Sequence, residues 1–386
     1  MREPLINPFA KGERVTDDTS FIDRETELRE MARDLRDGEK IFLLAPRRFG
    51  KTSLVHMVFR QLAQRHGLKT VFIDVGRSAT YLQLLERFST LVTRAGGHWD
   101  QVKHSLQRFL QSVRPEIAFD EEGRPKFTLG TTRAPDPHAI APEIFAIPET
   151  IATTHHLRLA ICLDELQLIQ AYDGPAIEAC LRSVIQEQRH VGYVFAGSQP
   201  SLMEIMLGPK RPFYRLGTRR FLDKIPAGAW EPFLTGQFAA LGCQLTTAGL
   251  QRLIEYADNV PLDVQTIAHE LWDRVRENAL RSAGPPEVEA TVDYLIEVDG
   301  PMFDRIWQQR PPHQRLVLQA IASGTTRGLL SSGARNQYRL SSPSTVRKAL
   351  ALLEKADIIE QRGDAYYFLE PLFAHWIRKK TWRSVP

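Results

Sequence analysis

The chain has 386 residues, of which 43% are hydrophobic and 25% charged, a balance that excludes a disordered or fibrous protein and leaves length for two or three domains. No uncharged apolar stretch is long enough for a membrane span, and the opening MREPLINPFAKGER lacks the apolar region of a signal peptide, so a cytoplasmic protein with no membrane partner is expected. The net charge of +4 is unevenly placed: residues 311–386 hold 12 basic and 5 acidic residues (+7) and residues 1–310 hold 38 and 41 (−3), which permits contact with nucleic acid without establishing it.

Residues 26–37 show helical spacing through Leu28, Met31 and Leu35, with Gly38 as the stop. Ile41-Phe42-Leu43-Leu44 is a continuous apolar run, the pattern of a strand buried on both faces. A turn follows, then a helix from Thr52 to His66 with Leu54, Val55, Val58 and Leu62 on one face, then a second buried strand at 70–74. Strand, turn, helix and strand in this order make a βαβ unit, which belongs in a parallel sheet covered by helices.

Residues of about 112–130 predict a hairpin excursion around Glu122-Gly123, and the Thr- and Pro-rich 131–142 a loop leading into a helix. Two more buried strands are predicted at 159–163 and 193–196, with a helix over 174–188 between them. After about residue 225 the strands are expected to stop. Helical patterns fill 229–241, 246–257 and 261–280, and Pro285-Pro286 breaks the run. Helices at 313–323 and 343–356 and a hairpin from runs 358–361 and 365–369 complete the chain. Cys162, Cys180 and Cys243, like His104, His155, His156 and His375, show no metal-ligand spacing and read as ordinary packed or surface residues.

The segment Ala45-Pro46-Arg47-Arg48-Phe49-Gly50-Lys51-Thr52, with Ser53 after it, sits between a buried strand and a helix. That is the setting of a P-loop. Gly50 lets the backbone wrap phosphate without a Cβ, and the amides opening the next helix point at it with the positive end of the dipole. Lys51 reaches the β- and γ-oxygens, and Thr52 offers its hydroxyl to Mg²⁺. Ala45 stands where the first glycine usually does, which requires a negative φ there. Arg47 and Arg48 read as phosphate contacts, as contacts to a neighbouring subunit, or as solvated loop charges.

An acidic pair at the end of another buried strand completes such a site, and Asp164-Glu165 supplies it. Asp164 would hold Mg²⁺, and Glu165 would polarise the water that attacks the γ-phosphate. After the strand at 193–196, Ser198, with Gln199 second, reads either as a γ-phosphate sensor or as a helix N-cap. Among the arginines of Pro212-Phe-Tyr-Arg-Leu-Gly-Thr-Arg-Arg220, Arg215 is the first candidate for an arginine finger, with a solvated loop charge as the alternative.

Taken together these pieces resemble the archaeal-type P-loop ATPases of the STAND and AAA+-like group. The matching segments are Asn7-Pro8-Phe9, Phe21-Ile22-Asp23-Arg24-Glu25, APRRFGKTSL at 45–54, LAICLDE at 159–165, VFAGSQPSLM at 194–203, PFYRLGTRRF at 212–221 and the closing YYFLEPLFAHWI. The resemblance implies a P-loop parallel-sheet core over 1–225, a helical lid over 226–300 and a winged helix over 301–386. It also implies that the segment carrying Phe21 and Arg24 lies near adenine and that Pro261 matches a GxP motif linking nucleotide to the lid, with Asn259 in place of its glycine.

The residues of the last segment agree with a winged helix on their own terms. Ser342 is an N-cap and Pro343 a first helical residue; Val346, Ala349, Leu350 and Leu353 make the buried face. Ser344, Thr345, Arg347 and Lys348 point outward as a recognition helix would, and Gln361–Asp364 forms the wing turn. The rival use of the module is packing, with Trp376 and Trp382 in the interface and Arg378-Lys379-Lys380 as a solvated end. The reading is an ATP- and Mg²⁺-dependent ATPase switch whose nucleotide state governs homo-oligomerisation or engagement of a partner protein. The alternative is a double-stranded-DNA-binding regulator with a mainly structural ATP site; a small-molecule kinase is a weaker third, lacking an obvious acceptor pocket.

Overall fold

The computed structural model describes residues 6–12, 21–96, 116–119, 125–128 and 136–382. The chain divides into a sheet unit, Arg24–Arg47 with Lys51–Asp223, and a helical unit, Met1–Asp23 with Arg48–Gly50 and Lys224–Pro386. The sheet unit runs α1 (Glu25–Arg36), β1 (Lys40–Leu44), α2 (Lys51–His66), β2 (Lys69–Asp74), α3 (Tyr81–Ala95), β3 (Glu116–Phe119), β4 (Pro125–Thr128), α4 (Pro137–Thr154), β5 (Leu159–Asp164), α5 (Gly174–Ile185), β6 (Val191–Gly197), α6 (Pro200–Met206) and β7 (Thr218–Phe221).

Five of these strands form one parallel sheet in the order β2-β5-β6-β1-β7. Every residue of β1, β5 and β6 is buried, which is why their sequences are unbroken apolar runs rather than alternating ones. Phe42 of β1 stacks on Phe195 of β6 at 4.9 Å, and Phe213 joins them. The excursion is a hairpin: β3 and β4 pair antiparallel with Glu116 opposite Thr128, while Glu122-Gly123, His104 and residues 131–135 lie outside the described residues.

The segment expected as an arginine-bearing loop ends in a strand. β7, Thr-Arg-Arg-Phe, pairs with β1 at the sheet edge, and with no fully buried residue it carries no apolar signature. Gly217 makes that approach possible, since a Cβ there would stand 2.1 Å from the Lys40 carbonyl oxygen.

The helical unit contains α7 (Ala227–Ala240), β8 (Gln244–Leu245), α8 (Thr247–Ala257), α9 (Pro261–Glu277), β9 (Ser282–Ala283), α10 (Pro285–Gln308), α11 (Pro312–Ala322), α12 (Ser332–Tyr338), α13 (Pro343–Lys355), β10 (Ile359–Arg362), β11 (Ala365–Phe368) and α14 (Pro371–Trp382). Strands do not stop at 225: β8 and β9 form a short parallel pair, as β10 and β11 form an antiparallel one. Pro285-Pro286 opens a 24-residue helix rather than only ending one. Proline suits a first helical turn, and Glu287 accepts the free Gly284 N–H at 2.7 Å.

Near the start of the chain, Asn7 donates to the His269 carbonyl at 3.0 Å and Phe9 is buried against Phe233 and Phe238, so the Asn-Pro-Phe segment is an anchor in the helical core. Farther on, Ser342 caps α13, whose buried face is Val346, Ala349, Leu350 and Leu353, and Gly363 takes φ 61° in the wing turn. The basic end is not solvated tail: it is α14, with Lys379 paired to Asp293 at 2.8 Å and Lys380 to Asp304. Trp376 packs on Phe303, Trp307 and Phe373. Cys162 and Cys243 are buried and all three cysteines are free thiols. Among the described residues, no helix is long and apolar enough to cross a membrane.

Candidate nucleotide-binding site

In a parallel sheet the carboxyl ends of all strands share one edge, where ligands bind. β1 ends at Leu44 ahead of the turn, β5 ends at Asp164, and β6, which lies between them, ends at Gly197 ahead of Ser198. Register therefore brings together three segments that are far apart in sequence.

The side chains meet in one network inside the sheet unit. Lys51 Nζ contacts Asp164 Oδ1 and lies 3.3 Å from Glu165 Oε1. Thr52 Oγ1 donates to Asp164 Oδ2 at 3.0 Å. Glu165 Oε2 accepts from Ser198 Oγ and from Gln167 Nε2, both at 2.5 Å. Lys51, Asp164, Gln167 and Ser198 are buried, so these charges are weakly screened and strongly felt. Burial alone pushes the Glu165 carboxyl up, but the Lys51 charge and the hydrogen bonds from Ser198 and Gln167 outweigh it and hold it below the ordinary glutamate range.

Backbone conformation sets this network. Glu165 takes φ 56°, ψ 41° and opens a short 3₁₀ turn over Leu166–Ala171. A left-handed glutamate is uncommon, and such residues concentrate at functional sites. Ala45 meets the condition set by its Cβ, since it is not among the residues with positive φ, whereas Gly50 takes φ 82°. Ser198 is not a helix cap: α6 begins at Pro200 with Gln199 at the cap position. Its hydroxyl is committed to Glu165 instead.

A hydroxyl and a carboxylate in contact are hard oxygen donors, the set that Mg²⁺ takes together with phosphate oxygens and water. Thr52 and Asp164 fit that ion, and among the described residues no cluster of three or more His, Cys, Asp or Glu offers a self-sufficient metal site.

Arg47 is exposed, Phe49 is buried, and Pro46 and Ser53 are partly so. Arg48 is not a free loop cation: its guanidinium pairs with Asp263 at 3.1 Å and Glu370 at 3.0 Å. Arg24 is buried, pairs with Glu27 and donates to the Asp223 carbonyl. Phe21 is half-buried, and Pro261 is the first residue of α9. Asn259 takes φ 57°, the left-handed conformation open to the glycine it replaces and to asparagine more than to most residues. Arg215 is exposed, its guanidinium 5.2 Å from the Tyr214 ring centre. On α13, Ser344, Arg347 and Lys348 are exposed and Thr345 is half-buried. The Ser344 and Thr345 hydroxyls already contact Ser342 at 2.9 and 3.0 Å. Sequence reasoning missed Gln167, Asp263 and Glu370, whose roles arise only from tertiary contacts.

Residues 301–379 match the family model described as "Probable winged helix domain". No curated protein matches the chain by sequence. Among solved structures, a Walker-type ATPase of Pyrococcus abyssi is similar at 16% identity and a TM-score of 0.64, over 95% of this chain and 98% of that one. The ORC2 protein of Aeropyrum pernix, in ADPNP-ADP complexes, is similar at 13% identity and a TM-score of 0.56, over 97% and 99%. Its ADP form gives 14% and 0.52, over 96% and 99%. At these identities the likeness is one of fold: the chain has the architecture of a P-loop ATPase, a parallel-sheet core followed by helices and a carboxy-terminal winged helix.

Proposed function

We propose that the protein binds and hydrolyses ATP and uses the bound state as a switch for self-association or engagement of a partner. The observation that carries this reading is the single network of Lys51, Thr52, Asp164, Glu165 and Ser198 at the carboxyl edge of the sheet. Adenine is the preferred base on the strength of the Aeropyrum pernix structure, which holds ADPNP and ADP.

Bound Mg²⁺ would neutralise charge on the β- and γ-phosphate oxygens, with Thr52 and Asp164 as its holders. Lys51, which rests on two carboxylates, exchanges them for the phosphate oxygens. The amides that open α2 supply further positive potential. Glu165, anionic and aimed by Ser198 and Gln167, orients the attacking water and takes its proton. Arg215 is the proposed finger, and Phe21, Arg24 and Pro261 the proposed neighbours of the base.

Two variants test the reading against a DNA-binding regulator with a structural ATP site. Lys51→Ala should abolish detectable ATP binding in calorimetry. Glu165→Gln should bind ATP within about threefold of wild type and lose at least a hundredfold in turnover, the usual scale for removing a general base. Duplex binding that weakens with salt and ignores Glu165→Gln, with no turnover in the wild type, would overturn it in favour of the regulator.

A further inference from the structure

Arg48 sits in the middle of the phosphate-binding turn at φ 75°. Arginine has no ease in the left-handed region, so something must hold it there. Three contacts do. Its guanidinium bridges Asp263 Oδ1 at 3.1 Å and Glu370 Oε1 at 3.0 Å, and its carbonyl accepts the Leu262 N–H at 3.2 Å. Asp263 is 1% exposed and lies in the first turn of α9. Glu370 lies between β11 and α14, inside the segment that matches the winged-helix model. The next residue, Phe49, is buried, with the Arg362 guanidinium of β10 5.8 Å from its ring centre. Residues 48–50 thus group with the helical unit although they are the centre of the turn.

We propose that Asp263 and Glu370 are positioning residues for nucleotide binding: acting through Arg48, they hold the turn in the left-handed conformation that aims its amides at phosphate. Glu370 thereby gives the winged-helix segment control over the affinity of a turn to which it is not joined in sequence. The inference rests on the ATP-binding reading above and adds a specific means of regulation to it. A bidentate bridge to two carboxylates is a task for arginine and not for lysine, and glycine reaches the same backbone conformation with no side-chain support.

The test measures binding of a fluorescent ATP analogue with Mg²⁺ to the full chain, with a melting curve for every variant. Glu370→Gln should weaken binding about five- to tenfold, and Asp263→Asn should act in the same direction. Arg48→Gly should bind better than Arg48→Ala by about fivefold, because both remove the ion pairs but only alanine must be held at positive φ. Adding Glu370→Gln to Arg48→Gly should change affinity by less than about twofold. A merely structural Glu370 would lower the melting temperature and leave affinity unmoved, or weaken binding equally in both backgrounds; either result overturns the proposal while wild-type binding stands. The Arg48→Gly and Arg48→Ala pair decides the matter even if Glu370→Gln fails to fold: equal affinities overturn it. Absence of binding by the wild type would remove the ATP reading itself and this inference with it.

Discussion

Glu165 is gripped on both oxygens: Lys51 lies against Oε1, and Ser198 and Gln167 donate to Oε2. A general base works only while its lone pair is aimed, and a misplacement of about 1 Å costs on the order of a hundredfold. Ser198→Ala removes one donor and leaves Gln167 and Lys51, so the carboxylate keeps its charge but loses part of its alignment. The expected outcome is a turnover reduced about ten- to a hundredfold with ATP affinity changed by less than about threefold. Steady-state hydrolysis beside equilibrium binding checks it. An affinity loss as large as the turnover loss would mean that Ser198 holds the ground-state complex rather than Glu165.

At the scale of the element, α14 carries a buried histidine whose proton affinity is set by packing. Burial and the neighbouring Arg378, with Arg252 adding to them, push His375 down to about 3 from 6.5, against a raising contact to the Tyr256 backbone; the Tyr256 ring sits 4.5 Å away. Between these values the unfolded chain binds a proton that the folded chain refuses, so stability falls as pH drops below about 6.5. Asp263 acts oppositely. Burial lifts it from 3.8 to about 7 against the pull of Arg48 and Lys224, with Glu370 and Asp258 adding to the lift, so its contribution falls as pH rises through that range. The two are separated by substitution: between pH 7 and 5, His375→Gln should flatten the loss of melting temperature and Asp263→Asn should steepen it. Parallel curves for all three proteins would contradict both assignments.

Elements also show what the sequence makes legible. The strands β1, β5 and β6 are readable because burial on both faces demands continuous apolar runs. The start of α13 is readable because capping is local, with Ser342 accepting the Thr345 N–H. β7 escapes because an edge strand with no fully buried residue has no hydrophobic pattern to betray it. α10 escapes because Pro285-Pro286 reads as a breaker, though both prolines occupy a first turn that needs no N–H. The site divides in the same way. Lys51, Thr52 and the acidic pair are written in contiguous motifs at strand ends, whereas the partners of Arg48 come from α9 and from the residue before α14. No local pattern marks a carboxylate that will find an arginine only after folding.

Over the whole molecule, the basic excess of residues 311–386 is partly neutralised within the helical unit: Lys379 and Lys380 pair with Asp293 and Asp304, Arg327 with Asp364 and Arg362 with Glu360. What remains exposed and basic on α13 is Arg347, Lys348 and Lys355, a small footprint for a duplex. The arginines between 211 and 220 sort more sharply. Arg211 is paired with Glu178, Arg219 donates to the Leu207 carbonyl and Arg220 is paired with Glu30 and Asp34. Arg215 alone of the four is both exposed and committed only to a neighbouring ring. If Arg215 is the proposed finger and acts between copies of the chain, it has a signature that no fault in its own site can imitate. Arg215→Ala and Lys51→Ala, each inactive alone, should regain activity when mixed: the first offers an intact phosphate turn and the second an intact finger. In a dimer half the assemblies are mixed and each holds one competent site, so recovery should approach about a quarter of wild-type turnover. Light scattering must show that mixed assemblies form in ATP and Mg²⁺; if they form and no activity returns, Arg215 does not act between copies.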